Sequence, residues 1–371
     1  MRDARNCFAK GCIPHTQTGM MDNLALDYLE RLLGPLINPQ KRIFVGYLLS
    51  ALLIALAAAA VAGRKSLRQA LVTFFSKKIW LSRSAIADYK ILLINQAIMM
   101  GVAPRLISKL AVATLLFEAL HVWLDGRVFL WPSVPSWAIA GLFTTSLFLL
   151  DDASKYLVHR ALHRWPLLWN FHKVHHSAEV LTPLTVYRVH PVEGILFALR
   201  AVLVQAIAIA VFLFFFGDRT TLVTILGANV FLFFFNLAGS NLRHSHVWIS
   251  YGKLLEHWLI SPAQHQIHHS LEERHFDQNF GAVLAVWDRL GGSLTIASTD
   301  NKPAIFGVGA EDKGSHSLYA LYILPVRDAI AGIIQPISAF LAHLKSTISH
   351  LTCSNRATGA RSELKKTDSK A

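Results

Sequence analysis

The chain has 371 residues, 53% of them apolar and only 16% charged, with a mean hydropathy of +0.40. That is too oily for an ordinary soluble domain of this size, and a membrane protein is the leading class. The formal net charge of +13 gathers at residues 64–90 and after Lys345, separated by long apolar runs and without interleaved aromatics. This pattern suits an anionic membrane surface and argues against nucleic acid as a partner.

Residues 1–42 form a polar N-terminal segment. Cys7 and Cys12, with His15 nearby, lack a second half-motif, so a floppy terminus is expected rather than a metal site. With Cys353 near the other end, the three cysteines give no disulfide framework and point to a reducing, cytosolic face. The first long apolar run begins near Phe44, so no cleavable signal peptide is expected.

Residues 43–135 carry the N-terminal membrane helices. The run 44–62 is nearly uncharged and long enough to cross a hydrocarbon core of about 30 Å at roughly 1.5 Å per residue. Residues 66–82 mix Leu, Phe and Trp with basic residues, as a helix lying in the interface does. Residues 91–102 and 106–124 read as one spanning helix plus a re-entrant piece.

Residues 136–295 form the next domain, which carries most of the histidines. The apolar run 137–150 passes straight into Asp151, Asp152 and Lys155, so a helix is expected to leave the bilayer while remaining a helix. Residues 195–216 and 222–237 flank Gly217, Asp218 and Arg219, which predicts a tight helical hairpin. Residues 296–371 read as an amphipathic and then disordered tail, with breaks at Pro325 and Pro336. The expected fold is all-α: four to six spanning or half-spanning helices and a helical cytosolic cap holding a histidine-rich di-metal site.

Of 18 histidines, 13 lie between His159 and His275, and eight of these form three tight groups. In His159-Arg-Ala-Leu-His163 the i, i+4 spacing puts both rings on one helix face, about 5–6 Å apart at Cβ. The other groups are His172-Lys-Val-His175-His176 and His265-Gln-Ile-His268-His269. In each HxxHH the outer rings sit about 40° apart on a helix, with the middle ring about 60° to the other side. Neutral rings gathered beside apolar helices cost desolvation unless each has a partner, and a metal supplies one. Eight nitrogen donors exceed the needs of one ion, so two ions are expected.

His190, in Arg188-Val-His190-Pro-Val-Glu193, and the pair His244-Ser-His246 are candidates to complete the set, as ligands or as supporting residues. His257 and His275 rank below them. His121, His316, His343 and His350 read as interface or satisfied core groups. Imidazole suits zinc, copper and iron alike, so donor type does not name the metal.

The order HxxxH, HxxHH, apolar hairpin, HxxHH resembles the fatty acid hydroxylase and sterol desaturase superfamily of membrane di-iron oxygenases. The resemblance covers about residues 145–293. It extends to Asp152, Tyr156 and Arg160, Ser177, Ser261-Pro262, Asn279-Phe280-Gly281 and Trp287-Asp288. It implies an integral, multi-pass membrane enzyme whose cytosolic site uses two Fe ions and O2 as co-substrate, with zinc possible in an isolated form. The substrate class it implies is a lipid: a fatty acyl chain, sphingolipid, sterol or ether lipid.

Hydroxylation of a C–H bond is the primary reading and desaturation the second; no residue separates them. No haem or flavin module is fused to the chain, so a separate donor of the cytochrome b5 or ferredoxin type with its reductase is expected. Asp152 is a candidate catalytic residue, as acceptor of a ligand imidazole's hydrogen bond or as a salt-bridge partner of Lys155. Some relatives carry HSN where this chain has His244-Ser245-His246, which leaves open which of the two histidines ligates. A zinc hydrolase lacks support because no cluster is HExxH. A metal transporter or di-haem carrier fits the adjacent histidine doublets poorly.

Overall fold

The computed structural model describes residues 16–61, 66–126, 131–309 and 316–336, together with Ser338 and Phe340. The expectations for Cys7, Cys12, His15, Arg64, His343, His350 and Cys353 fall outside the described residues.

The described chain is mostly helical. Helix α1 (Thr16–Ile37) hydrogen-bonds the fifth helix through the Tyr28 hydroxyl and the Leu93 carbonyl, 3.0 Å apart. Helix α2 (Val45–Val61) has no charged residue. Two short helices follow, α3 (Leu67–Phe74) and α4 (Lys77–Trp80), started by Ser66 and Ser76, whose hydroxyls accept backbone N–H bonds. The continuous interfacial helix expected over 66–82 is therefore split, because Ser76 caps a new helix where the first has ended. Helix α5 (Arg83–Val102) starts at the Ser82 cap, eight residues before the apolar run read from sequence, and α6 (Lys109–Trp123) packs along a later helix.

Helix α7 (Ser136–Arg164) is continuous through Asp151 and Asp152, as the sequence predicts. Helix α8 (Pro166–His176) begins with proline at its first position, where the missing N–H costs nothing. Helix α9 (Pro191–Phe216) is the longest apolar helix. The expected partner arm at 222–237 is different: a two-stranded antiparallel ribbon, β1 (Thr224–Ile225) and β2 (Ala228–Asn229), precedes an eight-residue α10 (Val230–Leu237). Leu226 and Gly227, both at positive φ, make the reversal that consumes half the apolar run.

The short helices α11 (Gly252–Leu255), α12 (Pro262–His268) and α13 (Val286–Gly291) lie in the polar end of the domain. Helix α14 (324–336) completes the fold. Pro325 does not break it. A π turn over Tyr319–Ile323 widens the chain just before the proline, and the helix continues.

Helices α5 and α9 are long and apolar enough to cross a membrane, and only 22% of each apolar window is buried. The core helix of a soluble protein would be covered on most sides; these leave Leu93, Leu199, Leu203 and Ile207 exposed. Helix α2 is shorter but equally apolar and exposes Leu49 and Leu53. The buried polar residues concentrate instead around α8 and α12.

Candidate metal centre

Helix α7 presents His159 and His163 one turn apart, and α8 folds back across it carrying His172, His175 and His176. A 3-10 turn at Ser240–His244 delivers His244 against α12, which carries His265 and His268, with His269 as its C-cap. Ser261 and Gln264 form a reciprocal capping box that starts α12 in register, with Pro262 at its first position.

These nine rings separate into two groups. His159, His163, His172, His176 and His268 form one, and His175, His244, His265 and His269 the other; within each, the ring nitrogens all lie within 4.8 Å of one another. Each HxxHH splits its adjacent pair: His176 and His268 join the five-histidine group, His175 and His269 the four-histidine group. Neighbouring helix residues point about 100° apart, so a doublet naturally serves two centres rather than one face.

The outer nitrogens show which way the rings face. His159 Nδ1 donates to the Phe280 carbonyl at 2.8 Å, His268 Nδ1 to the Gln278 carbonyl at 2.8 Å, and His175 Nδ1 to the Arg188 carbonyl at 3.3 Å. His172 Nδ1 donates to the Glu193 carboxylate at 2.8 Å. A carbonyl or carboxylate can only accept, so each of these rings carries its proton on Nδ1 and turns a bare Nε2 inward. Yet the Nε2 atoms of His159 and His172 stand 3.1 Å apart. His244 Nε2 likewise lies 3.1 Å from Nε2 of both His265 and His269.

Between His159 and His172, whose protons are both held on Nδ1, two lone pairs facing each other at that distance repel unless a cation sits between them. Neighbouring ligands on an octahedral ion with roughly 2.1 Å metal–nitrogen bonds are about 3.0 Å apart. The buried Nε2 atoms of His163, His176 and His268 also have no protein partner. Burial holds the rings neutral, as ligands must be: the His175 pKa falls to about 3, and those of His176, His244, His265, His268 and His269 lie well below the ordinary imidazole value. The donor set fits two metal ions.

A clasp away from the rings fixes the His159 acceptor. Asp288 accepts the backbone N–H groups of Phe280 and Gly281 at 2.8 and 2.7 Å and the Ser293 hydroxyl at 2.6 Å. A Cβ at Gly281 would press within 3 Å of Asp288, Leu284 and Ile260, so only glycine lets the carboxylate close. Asn279, at φ +54°, turns the chain in the left-handed region and ties it to the Gln264 carbonyl and the Thr295 N–H.

Asp152 belongs to the same scaffold. It accepts N–H bonds from Val283, Leu284 and the Trp287 indole, each at 2.9 Å, and it touches no histidine. The expectation that it orients a ligand imidazole is corrected, as is its pairing with Lys155, which binds Asp151 at 2.6 Å.

His190 and His246 lie outside both groups. His190 caps α9: its Nδ1 accepts the Val192 N–H, and its Nε2 donates to the Tyr322 carbonyl, which leaves no nitrogen for a metal. His246 is exposed and packs against Phe74. His257 is exposed, while His275 is buried beside Ser270. His121 contacts Phe117 and Phe214, and His316 meets Arg188 and Glu179.

Two carboxylates escape sequence reading. Glu193 supports His172 from 21 positions away. Asp88, in the second turn of α5, forms a fully buried ion pair with Arg188 at 3.0 Å and so fixes the carbonyl that His175 uses. The available signal was a single acid inside an apolar helix, which is costly unless partnered.

A cavity of about 390 Å³ opens onto both groups, reaching His159 and His172 of one and His175, His244 and His265 of the other. Its remaining walls are mainly apolar, with Val186, Val189, Phe197, Leu232 and Phe235 among them.

The fatty acid hydroxylase family model matches residues 144–293. The chain is 26% identical to lathosterol oxidase of Rattus norvegicus over 46% of its length and 48% of the relative's. It is 26% identical to alkylglycerol monooxygenase of Homo sapiens over 56% of its length and 41% of the relative's. To the Delta(7)-sterol 5(6)-desaturase of Eremothecium gossypii it is 29% identical, over 42% of its length and 37% of the relative's. It thus spans about half or less of each of these relatives. No solved structure gives a significant match. The family match covers all nine grouped histidines, the Asp288 clasp and Glu193, so the stretch that carries the whole candidate site, residues 144–293, is the part of the chain similar to the fatty acid hydroxylase family.

Proposed function

We propose that the protein is a multi-pass membrane oxygenase whose two histidine groups hold two iron ions and which hydroxylates a lipid at a C–H bond. The observation that carries this reading is the pair of buried, neutral imidazole groups sharing one apolar-walled cavity.

His159, His163, His172, His176 and His268 hold one ion; His175, His244, His265 and His269 hold the other. Bound iron supplies the activation of O2 that the side chains cannot. The chain's own share is to orient and to exclude water. Glu193 and the Phe280, Gln278 and Arg188 carbonyls hold the inner nitrogens bare, and the apolar wall positions the lipid's C–H bond. One oxygen atom enters that bond and the other leaves as water, so each turnover takes two electrons and two protons from outside. A separate electron donor of the cytochrome b5 or ferredoxin type fits that need.

The positive-inside pattern supports a cytosolic site. Lys77, Lys78 and Arg83 precede the end of α5 that is tied to the histidine cap, where Ser84 accepts the Glu179 N–H and Asp88 meets Arg188. Residues 43–135 then serve as the N-terminal membrane helices and 136–295 as the catalytic domain, with 1–42 and 296–371 as flanking segments.

Lipidomics of cells with an active copy and with a metal-site variant tests the reading. A product differing by one oxygen names a hydroxylase, and one lacking two hydrogens names a desaturase. An unchanged lipid profile with unchanged cellular metal uptake overturns the oxygenase reading, and altered uptake alone supports a transporter.

A further inference from the structure

The cavity on the histidines holds two arginines that form no ion pair among the described residues, Arg243 being opposed only from beyond contact distance by Asp152. Arg243 is 6% exposed, and the hydrogen bonds from its guanidinium go to the Ser240 and Ala282 carbonyls, with the Phe235 ring 5.2 Å beneath it. Arg42 donates from Nη2 to the same Ser240 carbonyl at 2.8 Å, and its buried Nε has no protein partner. Among the described residues no carboxylate lies within ion-pair distance of either. The other ionisable groups on the wall have partners: Lys155 pairs with Asp151, and Glu193 accepts the hydrogen bond from His172 Nδ1–H. The two guanidinium groups also share the Ser240 carbonyl, so their like charges stand close together.

Burying a charge without an ion-pair partner is unfavourable, so a ligand that supplies the counter-charge is favoured. A second cavity, of about 540 Å³, adjoins the first, with Gln40, Leu232 and Asn236 lining both. Its walls include Phe143, Leu147, Phe148, Ile209 and Leu213 from α7 and α9. A chamber that carries two arginines therefore adjoins a second, mainly apolar one.

We propose that this pair of chambers binds an amphiphile with an anionic headgroup, carboxylate or phosphate, whose head sits on Arg42 and Arg243 and whose single hydrocarbon tail runs past Leu232 into the second chamber. The inference rests on the oxygenase reading and narrows its substrate class. It also limits where oxidation falls. Arg42 Nη2 stands 3.5 Å from His244 Nδ1, so a head held there is one imidazole away from the four-histidine group. The carbon oxidised is among the first few from the head, and the tail end is out of reach.

The metal-loaded, full-length protein in non-ionic detergent provides the test. Stearate, octadecyl phosphate and 1-octadecanol compete with a fluorescent octadecanoic acid analogue. Both anions are expected to bind at least tenfold tighter than the alcohol, and the tighter of the two identifies the head. In Arg243→Gln and Arg42→Gln that preference falls toward unity at unchanged metal content, and Arg243→Lys restores part of it. Lys253→Gln, exposed on α11, keeps it intact.

Equal binding of alcohol and anions by the native protein overturns the proposal, as does an undiminished preference in both glutamine variants. Should one variant fail to fold, the other and the native comparison still decide. Competition by inorganic phosphate as strong as by octadecyl phosphate means an adventitious ion only, and overturns the tail assignment. Anion preference without any oxidised product refutes the oxygenase reading while sustaining this one; neutral lipids bound and oxidised as well as anions do the reverse.

Discussion

In the five-histidine group three rings donate their outer N–H to fixed acceptors: His159 and His268 to carbonyls, His172 to Glu193. In the four-histidine group only His175 does, through a longer 3.3 Å bond; the buried Nδ1 atoms of His265 and His269 meet no protein partner, and His244 Nδ1 faces a guanidinium. The two centres share donor chemistry and differ in how firmly their donors are aimed. Outer acceptors of this kind typically change metal affinity 10- to 100-fold. One centre is thus preorganised by its scaffold, and the other is left open toward the cavity and its arginines.

The largest effects test the partition itself. His268→Ala is expected to empty the five-histidine centre and His269→Ala the four-histidine centre. Metal content measured by mass spectrometry should fall in each from about two ions per chain to about one, with activity lost. Full loading in both variants would sink the assignment.

Next comes the order of release. During stepwise chelation of the native protein, half of the metal should leave before the rest, and His269→Ala should abolish the early phase while His268→Ala spares it. Release in a single phase would show that the centres do not differ in firmness.

Glu193→Gln keeps the shape but weakens the acceptor for His172. A 10- to 100-fold loss in affinity confined to the late phase is expected. Loss in the early phase instead would place Glu193 with the wrong centre.

Acid supplies a fourth test. In the metal-free protein His175 is neutral down to about pH 3, against an ordinary value of 6.5, and its neighbours are lowered in the same direction. The unfolded chain therefore binds more protons below about 6.5. Stability is complete above that pH and declines as pH falls from 6.5 toward 3. Chemical denaturation of metal-free protein across that range checks the slope; stability that holds or rises on acidification would mean the rings are exposed or already charged.

The smallest effects belong to the histidines outside both groups. His246→Ala should leave loading unchanged. His190→Ala should cost about 1 kcal/mol through the lost α9 cap while leaving both ions in place. Metal loss in either would return it to the ligand set.

These histidines show where sequence reading reached its limit. Spacing alone exposed the eight clustered rings, because i, i+3 and i+4 intervals on a helix fix relative direction. His244 was visible only as a histidine following an apolar segment, and by that criterion it could not be separated from His246, two residues on. The separation comes from the 3-10 turn, which buries one and turns the other out. The sequence offers His190 as a ligand or a supporting residue alike, and the structure makes it the cap of α9, with proline following it. Glu193 and Asp88 were hidden because their partners come from other elements. In the fold, apolar runs announced α2, α5, α7 and α9. The eight-residue α10 was misread as half of a hairpin because hydropathy does not register the reversal at Leu226 and Gly227.

The sharing of doublets between centres bears on how this domain can vary. His175 and His176 are consecutive in the chain yet serve different centres, and so do His268 and His269. Any insertion or deletion within α8 or α12 rotates the following residues by about 100° per position and displaces donors from both centres at once. Re-spacing α8 or α12 to suit one centre therefore disturbs the donors of the other.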